Sequence, residues 1–175
     1  MQCGFRKGRR CVDQIFPLRS RIEKCLSCQT PLVLSFIDYE QAFDSVDRRA
    51  LKQVLTLYGI LNKYIKVISA MYKNNTAAVK VGNEVSSWFC IKSGVKQGCV
   101  LSPFICINLM GFVLSTIGQA MGDNGIKWGG KTFLDLDYAD DLSILDESVS
   151  KMNELLEVLR VQGARIGLKI NVKKT

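Results

Sequence analysis

Apolar residues along this chain gather in runs of two lengths, and run length separates strands from helices. Pro31-Leu-Val-Leu-Ser-Phe-Ile37 is a short apolar run ending at Asp38, the pattern of a buried central strand. Leu51, Val54, Leu55 and Tyr58 then recur at helical spacing, and Gly59 supplies the stop. A second helix is predicted over about 62–72, with Tyr64, Ile65, Ile68, Met71 and Tyr72 on its inner side. Ala77–Val81 and Glu84–Ile91, joined by Gly82-Asn83, read as a hairpin with a two-residue turn. A glycine-bounded loop over 94–101 follows, leading into a long uncharged stretch.

From Gly98 to Gly122 there is no charged residue, enough length to cross a membrane. Yet the stretch holds Pro103, Asn108, Gln119, Ser102, Ser115 and Thr116. Its opening Ser102-Pro103 reads as the N-cap and first residue of a soluble-type helix. A fully buried core helix is the expectation, with no membrane partner. Gly129-Gly130 marks a turn, and strands of about 132–138 and 142–145 pair across Ala139-Asp140-Asp141. Leu134, Leu136 and Tyr138 then share one face, Asp135 and Asp137 the other. Val149, Met152, Leu155, Leu156 and Leu159 form an amphipathic helix stopped near Gly167, and Leu168–Val172 a closing strand. Mixed elements with antiparallel hairpins predict the α+β class.

Composition narrows the chemistry. At 175 residues and 47% hydrophobic, the chain is one domain's worth of folded globule. The net charge of +8 is concentrated at the ends: residues 1–24 carry seven Lys/Arg against two acids, and residues 151–175 six against two. Basic ends around an acidic centre suit a polyanion held near bound metal, although a solvated basic surface has the same composition. The seven cysteines lack framework spacing, which points to free thiols in a reducing, intracellular compartment, nucleus or cytoplasm. Cys25-Leu-Ser-Cys28 is a lone CxxC with no second pair, a weak zinc signal. No secretory signal peptide is visible. The chain contains no histidine, so His-based acid/base chemistry is excluded and His-ligated zinc with it.

What remains is carboxylate chemistry. Asp140 and Asp141 are adjacent anions between apolar runs, and burying such a pair is costly without a positive partner. Asp38 ends the first buried strand. If the two strands are neighbours in one sheet, three carboxylates converge on a site for hard Mg²⁺. Taken alone, an Asp-Asp pair in a turn is equally ordinary turn chemistry.

Three motifs occur in order: Phe36-Ile-Asp38-Tyr-Glu-Gln41-Ala42-Phe43-Asp44, Gly94-Val-Lys-Gln97-Gly98-Cys-Val-Leu-Ser102-Pro103 and Leu136-Asp-Tyr138-Ala-Asp140-Asp141. They are flanked by Gln2-Cys-Gly4-Phe5-Arg6-Lys-Gly8-Arg9-Arg10 and by Gly167-Leu168-Lys-Ile170-Asn171-Val-Lys-Lys174-Thr175. The ordered set strongly resembles the reverse transcriptases of non-LTR (LINE-type) retrotransposons and covers essentially the whole chain.

The resemblance implies a right-hand polymerase palm with partial fingers, an antiparallel sheet packed on helices. Residues 1–31 and roughly 60–96 would be fingers-like, with roughly 32–59 and 97–175 palm-like. It implies RNA-directed DNA polymerase activity, a nucleotidyl transfer from dNTP to a primer 3′-hydroxyl on an RNA template. Asp38, Asp140 and Asp141 would be the catalytic acids, holding two Mg²⁺ ions (or Mn²⁺) together with the Ile37 carbonyl. Phe43 would be a steric gate against ribonucleotides, in a nucleotide-binding stretch with Gln41 and Ala42; as a bare residue it equally reads as a core aromatic. Gln97 and Gly98 match a nucleotide- and template-contacting loop, and Arg6, Arg9 and Arg10 are candidates to grip the triphosphate. Lys174 falls where a general acid protonates pyrophosphate, and its place near the end of the chain predicts fraying.

The family's thumb, which holds the primer–template, is not in this sequence, nor is an endonuclease domain, so a piece of a longer polymerase is expected. Apolar surfaces that a thumb and outer fingers would cover are expected to lie exposed. The alternative is a catalytically silent nucleic-acid-binding remnant. Nucleotide cyclisation on the same type of palm leaves Phe43 and Gln97 unexplained.

Overall fold

The computed structural model describes all residues except 1–3, 5, 6, 122–125, 129, 130, 134, 139 and 140; for 118–121, 126–128, 131–133, 135–138 and 141 it describes the backbone alone. In chain order the elements are α1 (Val12–Cys28), β1 (Val33–Ile37), α2 (Ala42–Ser45), α3 (Arg48–Leu57), α4 (Asn62–Met71), β2 (Thr76–Ala77), β3 (Lys80–Val81), β4 (Glu84–Val85), β5 (Phe89–Cys90), α5 (Leu101–Met121), β6 (Ile126–Trp128), β7 (Lys131–Phe133), β8 (Asp135–Tyr138), β9 (Asp141–Asp146) and α6 (Val149–Arg165).

The central sheet is antiparallel in the order β1-β9-β8. Its register runs from Val33 opposite Asp146 to Ile37 opposite Leu142, and from Asp135 opposite Ile144 to Tyr138 opposite Asp141. Ile37, Leu142 and Ile144 are buried in one core with Ile105, Leu109, Val113 and Ile117 of α5 and Met152, Leu155 and Leu159 of α6. Leu51, Val54 and Leu55 of α3 extend that core. Because the side-chain period of a strand is two, a one-residue slip of β1 would turn Ile37 outward. Burial therefore specifies the register.

Several predictions of the pattern need correction. Helix α1 was not anticipated: Pro17 lies inside it, its N-cap Cys11 makes no side-chain cap bond, and Cys25 is its one buried residue. Val12, Ile15, Phe16 and Leu26 are exposed, and its inward stripe is only Leu18 and Ile22, both half-buried, with Cys25. Tyr64 also faces outward, while Ile65 and Tyr72 are buried. The long uncharged helix buries one face rather than all of itself, leaving Leu101 and Phe104 exposed. It starts at Leu101, and the Ser102 hydroxyl donates to the Lys96 carbonyl at 2.6 Å instead of capping. Among the described residues no helix is long and apolar enough to cross a membrane.

The hairpin is bulged. Lys80 and Val81 pair with Val85 and Glu84, but Thr76 and Ala77 pair with Cys90 and Phe89, so the second strand carries one extra residue between the two ladders. The predicted strand over 132–138 is divided between β7, which pairs with β6, and β8, which pairs with β9. Asp141 lies within β9 rather than in the turn. Leu168–Val172 forms one bridge, Ile170 to Tyr39, and no strand. Trp88, Val81 and Val100 are largely exposed.

Helix α3 begins at a well-formed cap: the Asp47 carboxylate accepts from the backbone N–H groups of Arg49 and Ala50 at 2.6 and 2.9 Å. The bond from Ala50 holds the Asp47 pKa below its ordinary value, against a smaller opposing effect of burial. Replacement Asp47→Ala is expected to cost about 1 kcal/mol in denaturant unfolding. Since the folded-state pKa is lowered, the wild-type advantage is present above the unfolded pKa and disappears as pH falls through the folded one. A gap between the two proteins that persists undiminished at pH 2 would contradict this.

Candidate active site

The site is assembled around the segment that leaves β1, residues 38–47. The ladder ends at the Ile37–Leu142 pair, so Asp38 and Asp141 are each the next residue beyond it, one on either strand. Asp140, the other member of the pair, lies outside the described residues. The half-buried Asp38 is tied to the chain's last turn. Its carbonyl accepts from the Asn171 N–H at 2.8 Å, and its own N–H donates to the Thr175 hydroxyl oxygen at 3.4 Å. Its carboxylate Oδ2 accepts from Asn171 Nδ2 at 3.0 Å and lies 3.5 Å from the Lys174 ammonium. Neighbouring residues extend the seam: Glu40 N–H donates to the Lys169 carbonyl at 2.8 Å, and Lys169 Nζ meets Glu40 Oε2 at 2.9 Å.

Lys174 is therefore not frayed. The amide N–H groups of Lys174 and Thr175 both donate to the Asn171 carbonyl at 3.0 Å, closing a turn on Asp38. Gly167 lets this segment approach: its φ is +87°, and a Cβ there would come within 2.7 Å of the Asp47 nitrogen.

A second segment, residues 93–98, holds the other end. Val95 N–H donates to the Phe43 carbonyl at 2.7 Å, Gly94 N–H to the Val46 carbonyl at 2.8 Å, and the Ser93 hydroxyl to the Asp44 carbonyl at 3.0 Å. A Cβ on Gly94 (φ +80°) would lie 2.6 Å from the Asp44 carbonyl oxygen. Gln97, exposed, donates its Nε2 to both oxygens of Asp44 at 3.3 and 3.2 Å. Phe43 is half-buried against the core, with Ala42 buried beside it. Gln41 has a left-handed backbone (φ 48°), uncommon for a residue with a Cβ, and its carbonyl accepts from both Asp44 and Ser45. The predicted nucleotide-binding residues Gln41, Ala42, Phe43 and Gln97 are thus gathered on one backbone-locked corner. Gly98, also at positive φ, has open space around it.

The candidate triphosphate-binding arginines are not brought in. Arg6 lies outside the described residues, and Arg9 and Arg10 are exposed ahead of α1, where the Arg10 N–H donates to Asp13. Among the described residues no hydrogen bond or ion pair joins either side chain to Asp38, Phe43 or Gln97. Cys25 is buried and Cys28 exposed, and neither is in a disulfide.

Three contributors escaped the reading of the sequence. Asn171 and Asp44 were read as motif letters without roles, although each holds a candidate site residue. Arg48 carried no signal at all. Its guanidinium donates to the carbonyls of Gly94, Ile91 and Ser93 at 2.9 Å each and of Tyr72 at 3.3 Å. It also stacks over the Tyr72 ring, 5.0 Å from the centroid. One planar fork thereby fixes the loop that carries Gln97.

With this geometry the comparisons agree. Residues 1–175 match the reverse transcriptase (RNA-dependent DNA polymerase) family. The chain belongs to that family. A probable RNA-directed DNA polymerase from transposon BS of Drosophila melanogaster is 28% identical over 186 residues, covering 99% of this chain and 19% of its relative. The Pol polyprotein of the type-1 retrotransposable element R2 of Popillia japonica is 27% identical over 140 residues, covering 79% of this chain and 20% of that protein. The transposon TX1 protein of Xenopus laevis is 26% identical over 182 residues, covering 96% and 13%. The resemblance to non-LTR retrotransposon reverse transcriptases therefore holds, and the chain spans a fifth or less of these relatives' length.

Among solved structures, the telomerase of Candida albicans superposes with a TM-score of 0.72 at 12% identity, covering 99% of this chain and 31% of that one. The Candida tropicalis telomerase gives 0.66 at 19%, covering 92% and 28%. At these identities the likeness establishes the fold, an α+β polymerase palm with partial fingers.

Reverse transcriptases work with divalent metal and with nucleic-acid template and primer. Of the three candidate carboxylates only that of Asp38 is described, and it has an oxygen to offer a metal: both its side-chain contacts use Oδ2, and among the described residues Oδ1 accepts no hydrogen bond. Arg48→Lys, which offers one ammonium where a fork spans four carbonyls, is expected to cost about 2 kcal/mol in denaturant unfolding. Limited proteolysis should then cut first within 91–98; unchanged stability with an unchanged cleavage pattern would show that Arg48 does not hold this loop.

Proposed function

We propose that this chain carries the nucleotidyl-transfer centre of an RNA-directed DNA polymerase, extending a DNA primer with dNTPs on an RNA template. The observation that supports this most is the register of β1 against β9, whose last pair, Ile37–Leu142, stands next to Asp38 on one strand and Asp141 on the other, in a chain that matches the family from end to end. Asp38, Asp140 and Asp141, with the Ile37 carbonyl, would hold two Mg²⁺ ions, or Mn²⁺ in their place. When bound, such ions supply activation of the primer 3′-hydroxyl and charge stabilisation at the leaving pyrophosphate.

The protein's own residues do the selecting and holding. Phe43, pinned through its carbonyl to Val95, presents a half-buried ring at the edge of the core, where a sugar 2′-hydroxyl would meet it. Gln97 spends its Nε2 hydrogens on Asp44 and keeps Oε1 to accept from a nucleotide or template base. Arg6, Arg9 and Arg10 supply guanidinium groups for the triphosphate, and Lys174 a proton donor for pyrophosphate. In the intracellular setting this reading implies, residues 1–31 and 60–96 serve as fingers and the remainder as palm.

The test is primer extension on an RNA template with dNTPs and Mg²⁺ or Mn²⁺, comparing the chain with Asp140→Asn. Extension is expected to fall to background in the variant; extension unaffected by the change would remove Asp140 from the site. In the same assay Phe43→Val should raise ribonucleotide incorporation relative to deoxynucleotide by about tenfold or more. An unchanged ratio would return Phe43 to the role of a core aromatic.

The basic residues at 1–24 and 151–175 also suit a second reading, a catalytically silent nucleic-acid-binding remnant. That reading predicts salt-sensitive primer–template binding without extension under either metal, even when thumb residues are supplied.

A further inference from the structure

We infer that Asn171 and Lys174 act in opposite senses on one oxygen of Asp38: Asn171 is a positioning residue that orients the carboxylate for a divalent cation, and Lys174 is a counter-ion that the cation displaces. The inference rests on the reading of Asp38 as a metal-binding acid and adds two residues whose effects on that binding have opposite sign.

Asn171 is built to position. Its N–H is bonded to the Asp38 carbonyl at 2.8 Å, next to the Ile170–Tyr39 bridge, so backbone and side chain grip the same residue. Its Oδ1 accepts from the Lys173 N–H at 3.3 Å, which leaves Nδ2 to face Asp38 Oδ2 at 3.0 Å. Tyr39 and Leu168, on either side of this seam, are buried. A neutral donor locked in this way fixes the rotamer of the carboxylate without neutralising it. Groups that orient a metal ligand from behind in this manner strengthen metal binding.

Lys174 differs in each respect. Its side chain is 68% exposed, and its ammonium stands 3.5 Å from the same Oδ2, a charge contact carried on a flexible four-carbon stem. Exposed pairs of this kind are weak and screened by salt. A divalent cation arriving on the Asp38 carboxylate meets a like charge there and repels it. Lys174 is then released beside the site as the site fills, so the proton donor becomes available only to the loaded centre.

The two roles separate in a direct Mn²⁺ titration of the whole chain, without nucleotide, read by the electron paramagnetic resonance signal of free Mn²⁺. Asp38→Asn serves as the reference and should abolish the tightest site; if it does not, the metal reading of Asp38 fails, whatever the other variants do. With that reference in place, Asn171→Ala should weaken Mn²⁺ about tenfold. Lys174→Gln should tighten it, by up to about fivefold at low salt and less at high salt. Thermal melting reports whether each variant is folded, and Asn171→Ser, which keeps an acceptor for Lys173 but cannot reach Asp38, repeats the first arm if the alanine variant is not. Folded Asn171 variants with unchanged affinity would overturn the positioning role. A Lys174→Gln variant that binds Mn²⁺ no more tightly than the wild type at low salt would overturn the displacement.

Discussion

The antiparallel register of β1 on β9 is the constraint on which the rest of the site depends. Two acids about a hundred residues apart in sequence cannot be brought together by local structure, and loop closure opposes it. What fixes them is apolar: Ile37, Leu142 and Ile144 are each almost wholly buried, and a one-residue slip of β1 would turn Ile37 out of that core. The polar chemistry is set one residue beyond the end of that apolar ladder. Asp38 therefore stays half-exposed while its backbone is as well determined as the core.

The segment leaving β1 has little regular structure of its own. Its single helix, Ala42–Ser45, is one turn long, and Gln41 before it sits in a conformation that residues with a Cβ disfavour. Its shape is imposed by two distant pieces of chain, residues 93–98 and 166–175, each of which approaches through a glycine at positive φ. Arg48 then anchors the first piece by its carbonyls, and the turn at Asn171 anchors the second by its N–H groups. The corner is thereby held by bonds from both sides, and it leaves Phe43 and Gln97 in neighbouring, partly exposed positions.

This division explains what the sequence could and could not disclose. The positions of Asp38 at the end of β1 and of Asp141 in β9 were foreshadowed by the apolar runs that flank them. The helices α3, α4 and α6 were legible through their buried stripes. Helix α1 was not, since most of its apolar residues face outward, its inward stripe is short, and Pro17 interrupts the pattern. Ser102 misled because a serine before a proline has the form of a cap, whereas here its hydroxyl is drawn to Lys96 by the loop. The closing residues 168–172 have strand composition but find one bridge, because Asn171 turns the chain back onto Asp38. Arg48 was invisible because its partners are backbone carbonyls, which leave no trace in side-chain pattern.

The central claim is that Asp38 and the acid pair share one metal centre, and anomalous diffraction from crystals grown with Mn²⁺, a primer–template and a dNTP tests it most directly. The account predicts Mn²⁺ peaks bonded to the carboxylates of Asp38 and Asp141, beside the Asn171 turn. Mn²⁺ bound elsewhere on the chain, with the Asp38 carboxylate still paired to Lys174 and no ion between β1 and β9, would contradict it.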